Sequence, residues 1–272
     1  MTAENAGIAT ARSIAVAQTI PVRAEVDLNL ETHLRLVHLA ADAGAQVVVF
    51  PEMSITGYEL DLARPLAFSE TDPRLATLRD VSATKLVTIV VGAPFLRGSH
   101  LYIGAFIVSP DRTVSLYTKH HLGAFGESAR RDGVLPPAEA TVFEPGSQDP
   151  LIACGTGNTA AVAICADIGH PAHPRHAVAR GARTYLASMF VIPSEYDSES
   201  TKLRSYARRH KMVVALANFG GPSGGLASAG GSAIWDERGE PLVRLAPRGS
   251  GVAIAIESDA GWRSKTFMLA AT

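Results

Sequence analysis

Three residues of this chain stand where an apolar run gives way to a loop, and their types could do chemistry together. Glu52 closes QVVVFPE, Lys119 closes SLYTK, and Cys165 follows the aliphatic run AVAI in AVAICADIGHP. Taken singly, each has a bland reading as a helix-cap carboxylate, a solvated strand-end charge or a small buried hydrophobe. As a set they are coherent. A cysteine attacks as thiolate, so it needs a base to take its proton and a positive charge to steady the anion that forms; a carboxylate and an ammonium supply these. An acidic residue at the carboxyl end of a buried strand is also where α/β proteins place reactive groups. Asp167, two residues after the cysteine, reads as holding its loop through hydrogen bonds, and His170 reads as structural.

The elements that must position these residues follow from periodicity. Residues 13–18 (SIAVAQ) read as a strand, and 26–43 carry Leu30, Leu34, Val37 and Ala41 at helical spacing up to a stop at Gly44. The continuous apolar run leading to Glu52 has the pattern of a strand buried on both faces. Residues 73–86 read as a helix, 87–91 as a strand, and 101–119 as two strands joined at a Pro-Asp-Arg turn. Residues 120–150 are rich in Gly, Pro and charge and too long for an ordinary connection, which marks a functional loop. His120 and His121 are adjacent, so alternation points them to opposite faces. Beyond a hairpin containing Cys154 and Cys165, residues 171–181 and 194–211 read as helices, and 184–188 and 213–218 as strands. Residues 232–245 and 251–257 close the chain as short strands. In the second of those helices, Ser194, Glu195 and Asp197 suit the N-terminus, and Arg204, Arg208, Arg209 and Lys211 suit the end.

Composition narrows the function classes. With 272 residues, 47% of them hydrophobic, the chain can bury a sizeable core, and no shift in composition marks a second domain, so residues 1–272 read as one unit. Twenty-five basic against 26 acidic residues give a formal charge of -1, without the basic tract that nucleic acid would require. No apolar run approaches the roughly 18 residues of a membrane span, and the start MTAENAGIATAR lacks a signal-peptide pattern, so a cytoplasmic protein is expected. Cys154 and Cys165 flank a GTGN turn; spacing alone permits a disulfide, which a reducing compartment disfavours. The lack of CxxC spacing argues against structural zinc. The glycine-rich 220–232 stretch lacks the ending of a phosphate loop.

VVVFPEMSITGYEL, YTKHHL and AVAICADIGHP, in that order, resemble the glutamate, lysine and cysteine motifs of the nitrilase superfamily of carbon-nitrogen hydrolases. The likeness extends to FEPGS, GARTYLAS, RSYARRHKMVVALAN and GGSAIWDERGEPL, and so to nearly the whole chain. It implies a four-layer αββα sandwich, two mixed sheets flanked by helices, with subunits pairing through helices into a homodimer or higher homo-oligomer. It also implies Glu52 as general base, Lys119 as stabiliser of the tetrahedral intermediate and Cys165 as the nucleophile that forms a thioester, with the backbone N–H of Ala166 joining the oxyanion site. No metal or organic cofactor is expected. A second glutamate belongs in the loop after the lysine: Glu139 is the preferred assignment and Glu127 the alternative. Tyr58, Phe125, Met189 and Phe190 are candidates for the pocket wall, against simple core.

Cys165-Ala166-Asp167 departs from the Cys-Trp-Glu of true nitrilases, and Ile168, Gly169 and His170 stand where carbamoyl hydrolases carry paired arginines. A small linear amide is therefore the expected substrate, with carbamoyl compounds and nitriles as alternatives. Two readings of another class remain: a non-catalytic binding or regulatory protein, which would not need Glu52 and Lys119, and a thiol redox protein using Cys154 and Cys165.

Overall fold

A computed structural model describes residues 12–155 and 157–270. The first eleven residues, on which the signal-peptide expectation rests, and Thr156 of the GTGN turn lie outside the described residues. The chain runs β1 (Ser13–Gln18), α1 (Val26–Asp42), β2 (Val47–Val49), α2 (Ala63–Leu66), α3 (Ala76–Lys85), β3 (Thr88–Arg97), β4 (His100–Val108) and β5 (Val114–Thr118). It continues through β6 (Ile152–Ala153), β7 (Thr159–Ile164), α4 (Ala172–Ala179), β8 (Thr184–Ser188), α5 (Tyr196–His210) and β9 (Val213–Ala217). It ends with β10 (Ala233–Trp235), β11 (Pro241–Arg244), β12 (Gly251–Ser258) and β13 (Gly261–Met268).

These strands form two mixed sheets. One has seven strands in the order β13-β12-β1-β2-β3-β4-β5, the other six in the order β11-β10-β9-β8-β7-β6. Each is built around three parallel strands, β1-β2-β3 and β7-β8-β9, whose crossovers carry α1, α3, α4 and α5. Alternation along the strands then sets the layers. Val16, Val49, Val90, Val162, Leu186 and Ala215 point into a core between the two sheets. Their neighbours Ala17, Val48 and Val91 face Leu36 and Val37 of α1 and Leu78 of α3, while Ala161, Ala163 and Ala187 face Leu203 and Ala207 of α5. The expected αββα sandwich is the fold observed. One hydrogen bond crosses between sheets close to a candidate residue: the Ser188 hydroxyl at the end of β8 donates to the carbonyl of Phe50, two residues before Glu52, at 2.8 Å.

Several elements differ from the sequence reading for physical reasons. The expected strand 87–91 runs on to Arg97 through Gly92 and Pro94, which read as breakers. Pairing with β2 stops at Val90, so the Pro94 nitrogen removes no ladder bond on that side. The expected helix 73–86 opens as a 3-10 turn, Pro73–Leu75, with the Asp72 carboxylate accepting the Arg74 N–H. β13 went unread because its exposed face is polar; it is a charged edge strand paired to β12 along its full length. Both cysteines are free. Cys154 lies opposite the turn from β7, whereas Cys165 lies beyond the far end of that strand, so the two do not face each other across the hairpin.

Candidate active site

Glu52, Lys119 and Cys165 each follow the last residues of a strand, β2, β5 and β7, and the first two belong to one sheet while the third belongs to the other. The turn after β2 is tight. Met53 has φ +50°, and a Cβ on Gly92 would collide with the Met53 amide and come within 2.7 Å of the Pro51 carbonyl. Only a glycine on β3 lets the Glu52 turn lie so close. Cys165 itself has φ +40°, in the left-handed region that a side chain resists, and it opens the 3-10 turn Cys165–Gly169. Such strain persists only where surrounding contacts over-determine it, and it concentrates at functional sites.

Those contacts converge on Asp167, which is fully buried. Its Oδ1 accepts the backbone N–H groups of His120 (3.1 Å) and His121 (2.9 Å), and its Oδ2 accepts the Tyr117 hydroxyl (2.6 Å) and the Ile164 N–H (3.0 Å). One carboxylate thereby ties the loop that follows Lys119 to the residue that precedes Cys165, the loop-holding part expected of it. Because the Tyr117 hydroxyl donates to Asp167, it accepts from His173 Nε2 at 2.8 Å, which leaves His173 Nδ1 to accept the Tyr185 hydroxyl at 2.8 Å. Burial pushes His173 below the usual histidine range, in keeping with this neutral tautomer. His121 stacks on His170 at 3.6 Å and His120 on Tyr117 at 5.1 Å, yet both rings also pack against His173, so the adjacent histidines join one cluster and do not point to opposite faces as alternation suggested.

At the centre, the fully buried Lys119 ammonium donates to Glu52 Oε1 at 2.7 Å and to Glu139 Oε1 at 2.6 Å. An ammonium has three donors, and these contacts use two. Glu139 is also buried: its Oε1 accepts the Tyr58 hydroxyl at 2.7 Å and its Oε2 the Gly123 N–H at 2.6 Å, while its own N–H donates to the Gly123 carbonyl at 3.0 Å. The long 120–150 segment is thus folded back on itself to deliver this carboxylate. Glu127, by contrast, is exposed and pairs with Arg130 at 2.7 Å on the same 3-10 turn. Glu52 Oε2 is buried with no hydrogen-bond partner among the described residues.

The electrostatics follow from burial. Desolvation pushes the Glu52 carboxyl up, with Lys119 opposing and Glu139 adding to the rise. The neighbouring carboxylates hold Lys119 protonated against its own burial. The Cys165 thiol is pushed well above its ordinary range, first by desolvation and then by the charge of Glu52, against the pull of Lys119. It rests as a neutral thiol whose Sγ donates to the Phe190 carbonyl at 3.7 Å.

Cys165 and Ala166 line a cavity of about 270 Å³. All four expected wall residues, Tyr58, Phe125, Met189 and Phe190, border it. Tyr58, Phe125 and Phe190 pack edge to face or tilted, with ring centroids 5.1 to 5.8 Å apart. Sequence reasoning missed another wall: Glu195, Glu199 and Lys202 also line the cavity, and of these only Glu195 was read, as a helix-start charge. Their 4- and 3-residue spacing was the signal, since it places them on one helical face. Among the described residues no helix is long and apolar enough to cross a membrane, and no group of three or more His, Cys, Asp or Glu side chains is placed to hold a metal ion.

The carbon-nitrogen hydrolase family profile matches residues 13–260. The amidase from Nesterenkonia sp. AN1, solved as a mutant with the acetamide moiety of fluoroacetamide covalently added at its active-site cysteine, is similar over 92% of this chain and 91% of its own, with 26% identity and a TM-score of 0.79. A nitrilase from Pyrococcus abyssi is 27% identical over 89% of this chain and 88% of its own length. A glutamine-dependent NAD(+) synthetase from Thermotoga maritima is 25% identical over 84% of this chain, which spans only 39% of that relative.

Proposed function

The chain belongs to the carbon-nitrogen hydrolase family, within the nitrilase superfamily, and from that premise we propose that it hydrolyses a small linear amide through a thioester on Cys165. The observation that carries this reading is the state of Glu52: one carboxylate oxygen is held by Lys119, and the other is buried without a partner among the described residues. A buried carboxylate with an unengaged oxygen and a raised pKa is suited to take and return a proton.

In this reading Cys165 Sγ bonds to the amide carbonyl carbon as its proton passes to Glu52. The carbonyl oxygen gains the negative charge, received by the third N–H of Lys119 and the N–H of Ala166. Loss of such a donor commonly costs about 100- to 1000-fold in rate. The C–N bond then breaks, Glu52 gives its proton to the departing nitrogen, and ammonia or an amine leaves. Water attacks the thioester as Glu52 takes one of its protons, the C–S bond breaks, and the proton returns to sulfur. Glu139, held by Tyr58, Gly123 and Lys119, is the second glutamate of the site; it orients the ammonium and borders the cavity. The raised thiol fits a nucleophile made during the step and disfavours the redox reading, which needs an accessible thiolate.

The test is a panel of short amides, carbamoyl compounds and nitriles assayed for ammonia, with mass spectrometry of acidified reactions. Amides are expected to be turned over, and the trapped acyl group is expected on Cys165. Turnover that persists in folded Cys165→Ala, or an adduct elsewhere, overturns the mechanism.

A further inference from the structure

Besides the aromatic cluster, the cavity is lined by the charged residues Glu195, Glu199 and Lys202, and their charges do not cancel. Lys202 Nζ donates to both oxygens of Glu199 at 2.9 Å each, so that pair neutralises itself. Glu195, half-buried and facing the same cavity, has no side-chain partner among the described residues. It makes no capping hydrogen bond to α5, and the exposed Asp197 already places a negative charge on that helix end. Burial and the neighbouring Glu199 push the Glu195 carboxyl up against the opposing pull of Lys202, whose ammonium hydrogen-bonds Glu199 and not Glu195. Among the described residues no arginine lines the cavity, and the one lysine that does, Lys202, is engaged with Glu199. A carboxylate-bearing substrate finds no free cation there, whereas a positive group finds a carboxylate.

We propose that Glu195 is the specificity-determining residue of this site and that the substrate is a small amide carrying an ammonium group at the end remote from the scissile bond. The inference rests on the amide-hydrolase reading. The aromatic walls of Tyr58, Phe125 and Phe190 enclose the methylene chain, Cys165 meets the carbonyl, and the ammonium sits against Glu195. The volume of about 270 Å³ falls just below the roughly 300–1,000 Å³ of drug-sized ligand sites, which limits the substrate to a short chain.

The experiment compares kcat/KM for four amides of matched chain length: unsubstituted, ω-amino, ω-carboxylate, and an α-amino acid ω-amide. The ω-amino amide is expected to exceed the unsubstituted one by about tenfold or more, the scale of one hydrogen bond to a charged group, and the ω-carboxylate amide to be worst. Glu195→Gln, which sacrifices no capping bond, is expected to bring the amino-to-unsubstituted ratio close to one, and Glu195→Asp to restore part of it. Equal rates for the first two amides, a ratio that survives Glu195→Gln, or a preference for the amino acid amide overturns the proposal. A second readout does not depend on turnover: a short alkylammonium should protect Cys165 from alkylation by iodoacetamide, an alcohol of equal length should not, and Glu195→Gln should abolish the difference. If no amide is hydrolysed yet this protection holds, the hydrolase reading fails and the cation site stands; equal protection by both compounds refutes the cation site.

Discussion

The hydroxyl of Tyr58 and the ammonium of Lys119 converge on one atom, Oε1 of Glu139, at 2.7 and 2.6 Å. A carboxylate that receives both, and takes a backbone N–H on its other oxygen, is a structural part of the charge centre. Glu139→Gln leaves Lys119 facing one carboxylate, and breaking a buried pair costs about 3–5 kcal/mol. The expected result is a loss of kcat of at least about 100-fold with a lower unfolding midpoint. Glu127→Gln removes an exposed pair only, and both quantities should stay near wild type. Steady-state ammonia release and urea unfolding of the two variants check this.

Cys165 has φ +40°, which makes a comparison between its glycine and alanine variants informative. Glycine usually costs about 0.5–1 kcal/mol against alanine in regular structure. Here the left-handed backbone reverses that, and Cys165→Gly should be at least as stable as Cys165→Ala by chemical denaturation. A glycine variant less stable by the usual margin would show that the turn carries no strain.

Asp167→Asn replaces one acceptor oxygen with a donor. If the remaining oxygen stays on the His120 and His121 amides, the new NH2 faces the Tyr117 hydroxyl and the Ile164 N–H, both donors. Each unsatisfied buried group costs about 1–3 kcal/mol. The variant should lose several degrees of melting temperature and most of its kcat, while Asp167→Ala is worse in both; circular dichroism melts and ammonia assays decide it.

His33 in α1 is buried, with Nδ1 donating to the Asn29 carbonyl at 2.6 Å and Nε2 accepting the Ser54 hydroxyl at 2.9 Å, beside the Glu52 turn. Burial pushes its pKa down to about 4 from an ordinary value of 6.5. The unfolded chain therefore takes a proton on this group below about pH 6.5 that the folded protein refuses until about pH 4. Stability from this group is full above pH 6.5 and falls across that window, by about 3 kcal/mol at its acid end, and His173 acts in the same direction. Because the raised Glu52 carboxyl acts in the opposite direction over the same window, the check is a difference: the urea-midpoint advantage of wild type over His33→Gln should shrink from pH 8 to pH 4.5.

How much of this was legible in the sequence depends on the range of the interaction. The exits at Glu52, Lys119 and Cys165 were visible because an apolar run that stops on a polar residue is a local signal. The choice between Glu139 and Glu127 was not local: it turns on a fold-back of the 120–150 loop that brings Gly123 against Glu139, which spacing to the lysine does not encode. Likewise Glu195 obeyed the charge rule for a helix start, and the spacing that puts Glu199 and Lys202 on its face does not say that this face borders a cavity. That Asp167 holds its loop was legible from its place after the cysteine, but its partners were not, since they come from β5, β7 and the loop after Lys119. β13 was missed because polar alternation on an exposed edge looks like loop.

Because Glu52 and Lys119 ride on one sheet and Cys165 on the other, the thickness of the layer between them is a kinetic quantity as well as a structural one. The Ser188 to Phe50 bond pins that thickness near the reacting groups, and the packing of Val16, Val162 and Leu186 sets it further away. Thinning this middle layer shifts Cys165 relative to Glu52 and Lys119, whereas an equally costly gap beneath α1 leaves their separation untouched. Distant apolar side chains in this protein thus divide into those that only hold it folded and those that also set its rate.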